Sequence, residues 1–144
     1  MRKKATLLSL AVMALLLIVG LTACSDETVR SVYTAAGDGS TPKDLVKTTT
    51  FRGDDDLNVV VRLGSHNREL AVSAVFTGPA GEVYTTDVLE ADKNTVEVVL
   101  GLDWEAQGAV FWAPGEWRVD IYVDEKLEQT ARFTVEQTAL TPEG

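Results

Sequence analysis

The feature that most constrains how this chain can fold is an alternation of apolar and polar residues with a period of two, repeated in short runs. In Leu57–Leu63 (LNVVVRL), Leu57, Val59, Val61 and Leu63 share one face. Leu70, Val72, Ala74 and Phe76 do the same in LAVSAVF, and Val96, Val98 and Leu100 in TVEVVL. In WRVDIYV, Trp117, Val119, Ile121 and Val123 oppose Arg118, Asp120 and Tyr122, and Ala131, Phe133 and Val135 alternate in the last run. Side chains of a strand point alternately to its two faces, so these runs predict strands with one buried face and one wet face.

Turn-forming residues separate the runs: Gly53-Asp54-Asp55-Asp56, Gly64-Ser65-His66-Asn67, Gly78-Pro79-Ala80-Gly81, Asp92-Lys93-Asn94 and Asp124-Glu125-Lys126. About seven strands follow, near 47–51, 57–63, 69–77, 82–89, 95–100, 117–123 and 128–135. That number over residues 45–136 predicts an all-β, antiparallel sandwich of immunoglobulin-like type. The stretch Ala113-Pro114-Gly115-Glu116-Trp117-Arg118-Val119 through Lys126, followed by Thr130–Val135, resembles the closing hairpin of bacterial immunoglobulin-like domains. There a Pro-Gly-x-aromatic turn opens the penultimate strand. The resemblance implies fold rather than function. Two departures stand out. Trp117 replaces a Tyr, so no hydroxyl is present for a tyrosine corner. The turn near Glu125 lacks glycine, which predicts a loop longer than two residues.

The other end of the chain is a different kind of polymer. Arg2, Lys3 and Lys4 precede the apolar run Ala5–Leu21, and small residues lead to Cys24, the single cysteine among 144 residues. A basic segment, an apolar segment and a small-residue cleavage site make a secretory signal peptide, assigned to residues 1–23. Leu21-Thr22-Ala23-Cys24 resembles the lipobox of bacterial lipoproteins. The resemblance implies a diacylglyceryl thioether on Cys24 and cleavage just before it. One acyl chain binds a membrane marginally, whereas two hold it firmly. The expected location is therefore the cell membrane or outer membrane, lipid-anchored on the extracytoplasmic side.

Residues 24–44 are rich in Ser, Thr, Gly, Asp and Ala and predict a flexible tether, the alternative being a short strand or docked segment at Val29, Val32 and Tyr33, and 137–144 a disordered tail. The full chain carries a net charge of −9, and loss of residues 1–23 leaves ten basic against 22 acidic residues, a net −12. Such a surface repels phosphates, so the expected partners are a membrane, reached through the lipid, and an envelope protein, not nucleic acid. With Cys24 lipidated no internal disulfide exists, and the core alone must hold the fold.

Residues able to do chemistry are few. His66, the one histidine, sits in an exposed-looking turn beside Ser65, whose side chain would point away from it, so no catalytic residues are assigned. Asp54 and Asp56 are weak candidates for a hard cation, but three consecutive Asp residues on an extended chain cannot converge, so neither a metal nor a cofactor is expected. Gly101–Trp117 holds all three tryptophans and Phe111 and is too long for a simple turn. Trp104, Phe111 and Trp112 are the candidate ligand- or partner-binding residues, because aromatic side chains on long loops supply contact area. The competing reading puts Trp117 and one of Phe111 or Trp112 in the core, with Trp104 capping the end of the sandwich. The function expected is a non-enzymatic, membrane-anchored lipoprotein whose domain binds or positions a partner at the cell envelope. The alternative is a lipoprotein that binds a small carbohydrate or cationic ligand, or an accessory subunit of an envelope enzyme or transporter. Asp103, Glu105 and Glu116 would then line an acidic, aromatic crevice.

Overall fold

In a computed structural model that describes residues 27–108 and 110–139, the alternating runs become strands. The signal peptide, Cys24 and residues 140–144 lie outside the described residues. β-branched and aromatic side chains suit a pleated surface covered on one side. Strand β5 (Leu70–Thr77) uses that surface most plainly: Leu70, Val72, Ala74 and Phe76 are buried, and the residues between them are half-buried.

The described strands form two sheets packed face to face. The first runs β2 (Val46–Lys47), β1 (Val29–Ala36), β4 (Leu57–Leu63), β8 (Glu97–Leu102). The second runs β3 (Thr50–Phe51), β10 (Lys126–Val135), β9 (Gly115–Val123), β5, β6 (Val83–Thr85), with β7 (Leu89–Ala91) also paired to β5. Pairing is antiparallel throughout except for β3, which lies parallel to β10 with Thr50 opposite Thr134. The short β2–β3 segment thus crosses from one sheet to the other. The architecture is the expected immunoglobulin-like β-sandwich.

Leu57, Val59, Val61 and Leu63 of β4 and Leu100 and Leu102 of β8 face Val72, Phe76, Val119, Ile121 and Val123 across the core. Aromatic rings fill one half of it. Phe51 and Phe133 meet edge to face at 5.0 Å, and Trp117 lies between Phe133 at 6.0 Å and Trp112 at 5.8 Å.

Three expectations need correction. The segment assigned to a tether contains β1, which is central in its sheet, with Val29, Thr34 and Ala35 buried. The domain therefore begins at Val29, not at residue 45. The hairpin turn between β9 and β10 has only two residues, because Val123 pairs with Lys126. Asp124 and Glu125 take the positive φ values, 50° and 67°, that such a turn demands. Asp124 tolerates this because its carboxylate accepts the Ala71 N–H at 3.0 Å and a second bond from Arg68. Finally, the described start of the tail is docked: beyond Glu136, whose N–H donates to the Phe51 carbonyl at 2.8 Å at the expected end of the domain, the Thr138 hydroxyl oxygen accepts the Gly53 N–H at 3.1 Å.

The register defines two ends. Val29 beside Leu63 and Arg62 beside Glu97 place the loops 64–69 and 92–96, with the Asp124–Glu125 turn, at one end. Ala35 beside Asn58 and Asn58 beside Gly101 place the loops 37–45, 52–56 and 103–114 at the other.

Candidate functional site

The second end carries a crevice, and it is built by one tryptophan. Trp112 is 1% exposed, and its indole Nε1–H donates to the Asp55 carbonyl at 2.8 Å while its backbone N–H donates to the Gly53 carbonyl at 2.8 Å. These bonds fasten the long loop 103–114 to the Asp-rich loop 52–56. A third loop joins through Asn58, whose amide donates to the Gly37 carbonyl at 2.7 Å. Within the long loop, the Asp103 carboxylate accepts the N–H groups of Glu105 at 2.9 Å and Ala106 at 3.4 Å. That holds a 3₁₀ turn at Glu105–Gln107, closed by Gly108 at φ +69°. A positive φ of this size is cheap only for glycine.

The resulting crevice has a volume of about 360 Å³ and is lined by Asp38, Asp54, Asp55, Asp56, Asp103 and Glu105, with Trp104 as its aromatic wall. Trp104 is half-buried and stacks on Phe111, the ring centres 6.0 Å apart and the planes 8° from parallel. Carboxylates outnumber cations here. Arg52 lies 3.5 Å from Asp54, but its side chain is 70% exposed, so the pair is weak. Asp56 shows the consequence. Partial burial raises its pKa above the usual carboxylate value, and the charges of Asp103, Asp38 and Glu105 add to that, against the Trp104 backbone N–H. A cation entering the crevice would relieve this repulsion.

The candidate residues thus separate. Trp104 and Phe111 form one stacked pair at the rim, and Trp112 is corrected from contact residue to core: it packs against Tyr84 at 5.2 Å and Trp117 at 5.8 Å. Asp54 and Asp56 line the crevice, yet among the described residues no group of three His, Cys, Asp or Glu side chains has metal-ligand geometry. Asp103 and Glu105 join the crevice, whereas Glu116 is bound to Arg132 at 3.0 Å and is not part of it. His66 lies at the opposite end and is half-buried rather than exposed. Nδ1 lies 2.9 Å from the Gly64 carbonyl and Nε2 2.6 Å from that of Asp92. Both ring nitrogens thus face backbone carbonyls, one from each of the loops 64–69 and 92–96. Sequence reasoning missed Asp38 and Gly37, which it had placed in the tether. The signal available was the Gly37-Asp38-Gly39 turn directly after a β-prone run.

Fold and crevice together define an immunoglobulin-like module with one acidic, aromatic end. No known protein family and no curated protein matches the sequence. Among solved structures, an immunoglobulin-like protein of Pseudomonas aeruginosa matches 78% of this chain and 99% of its own, with 15% identity and a TM-score of 0.47. An alkylpurine DNA glycosylase of Pseudomonas fluorescens, bound to DNA containing an abasic site analog, gives 13% identity and a TM-score of 0.46. The match covers 84% of this chain but 33% of the glycosylase. At this degree of likeness neither neighbour bears on activity. Among the described residues no helix is long and apolar enough to cross a membrane.

Proposed function

We propose that this chain is a non-catalytic lipoprotein of the cell envelope, held by lipid on Cys24, whose immunoglobulin-like domain binds or positions a partner. The observation that carries the reading is the lipobox-like Leu21–Cys24, which follows a basic and apolar leader and stands just ahead of Val29, where the folded domain starts. Such a layout suits a domain displayed close to a membrane. The partner-facing surface in this reading is the Trp104–Phe111 rim with the Asp56 and Asp103 carboxylates beside it. Aromatic residues are enriched among the anchors of an interface.

The crevice itself favours a second reading, a small cationic ligand seated among the carboxylates against Trp104. One experiment separates the two. Wild type, Cys24→Ser and Trp104→Ala would be expressed, checked for equal thermal unfolding, and fractionated. Wild type is expected in the membrane fraction with a stoichiometric envelope protein retained after detergent extraction. Cys24→Ser should lack the acyl mass that wild type carries, and Trp104→Ala should keep it but lose the partner about tenfold or more. Calorimetric titration with spermidine supplies the other arm. Heat that Trp104→Ala and Asp56→Asn abolish, with no protein retained, would replace partner binding by ligand binding. An intact wild-type mass without acyl groups on Cys24 would overturn the anchor.

A further inference from the structure

The chain is pinned to one end of the sandwich before β1 begins. The Gly64 N–H donates to the Thr28 carbonyl at 2.9 Å, and a Cβ on Gly64 would collide with the Glu27 carbonyl oxygen. Only Ser25 and Asp26 separate that pinned point from Cys24. Three extended steps reach about 11 Å. The opposite end lies farther off than this: β1 has eight residues and spans about 26 Å. So a lipid on Cys24 has no slack with which to let the domain turn over.

We infer that the end formed by the loops 64–69 and 92–96 and the Asp124–Glu125 turn rests on the bilayer that holds Cys24, and that the acidic crevice is presented away from it. This deepens the proposed function and rests on its lipid anchor. The two ends differ in chemistry in the same sense. Where the chain leaves the domain, a hollow of about 170 Å³ is lined by Arg30, His66 and Lys93 together with Val96, which is 70% exposed. Cationic and apolar side chains together suit the headgroup region. Glu69, Glu90, Asp92, Asp124 and Glu125 also lie at this end, with Arg68 and Lys126 among them, so it is mixed rather than basic. The far end gathers Asp38, Asp54, Asp55, Asp56, Asp103 and Glu105, which an anionic leaflet repels. His66 stiffens the resting end by joining the two loops through its pair of carbonyls.

The test uses the full lipidated protein in vesicles of phosphatidylethanolamine and phosphatidylglycerol carrying a headgroup-linked energy acceptor. A donor dye is attached to Asn94→Cys in one sample and to Gln107→Cys in another; acylated Cys24 does not react. Transfer from position 94 is expected to exceed that from 107 several-fold, and a twelve-residue Gly/Ser insertion between Asp26 and Glu27 should abolish the difference. Equal transfer, or stronger transfer from 107, overturns the orientation. A difference that survives the insertion overturns the short tether as its cause. The intact mass of the protein is read first. A chain without acyl groups on Cys24 defeats the anchor and the orientation together, whereas an acylated chain with equal transfer defeats the orientation alone.

Discussion

Trp117 takes over a task that a hydroxyl performs in related folds. Its indole Nε1–H donates to the Ala113 carbonyl, four residues upstream, at 2.8 Å. In immunoglobulin-like domains a tyrosine hydroxyl binds a backbone group a few residues upstream in the same region. The sequence reading denied this chain such a corner because Tyr was missing, but the indole supplies the donor that was counted absent. Trp117 is also 1% exposed and packs on Phe133 and Trp112. Trp117→Phe removes both the bond and part of the ring, so it is expected to cost about 2–4 kcal/mol in urea unfolding. Trp117→Tyr, which offers a hydroxyl, should cost less. Equal losses for the two would assign the whole effect to packing. Gly115 supports the same corner: its φ of +134° and the Pro79 Cγ 2.8 Å from where a Cβ would sit leave room for no other residue.

Strand β1 was the element least visible in the sequence and is among the most consequential. It lies between β2 and β4, so its loss would leave both with open ladders. A chain beginning at residue 37 is therefore expected to lose cooperative thermal unfolding, whereas one beginning at Glu27 should keep it. Unchanged unfolding of the shorter chain would return β1 to the status of a docked tether. The runs in β5, β8, β9 and β10 were legible because alternation marks a half-buried strand; β4 was found by the same pattern, although both of its faces are buried from Leu57 to Val61. β1 was not, for two physical reasons. Its register shifts between Val29 and Ser31, which breaks the period, and its most buried later residues are Thr34 and Ala35, small or polar types that carry little apolar signal. The crevice was half legible. Its tryptophan loop and its aspartates were both visible, but their meeting depends on Trp112 reaching the carbonyls of Gly53 and Asp55, which lie far from it in sequence.

At the scale of the whole molecule, acidity sets how stability changes with pH. The Asp92 carboxylate sits below its usual pKa through the N–H of Asn94 and the hydroxyl of Thr95, and Asp124 through the N–H of Ala71 and then Arg68. Their contributions are present above the unfolded carboxylate value and vanish as pH falls through the folded one. Asp56 and Glu90 are shifted upward, Asp56 by burial and then Asp103, Glu90 by desolvation and then Glu69. Their ionised forms cost stability at neutral pH, a cost relieved as pH falls through their folded values. The denaturation midpoint should therefore hold or rise on acidification from neutrality toward the carboxylate range, then drop below it. Asp56→Asn should flatten the rise, and a midpoint that falls steadily from pH 7 would contradict this balance. The placement of β1 carries a mechanical consequence as well. A pull on the chain ahead of Thr28 runs along β1, while the bonds joining β1 to β2 and β4 run across it, as antiparallel ladders require. Load is then shared by many bonds in shear rather than peeled from them one at a time, so the domain resists being drawn off its own first strand.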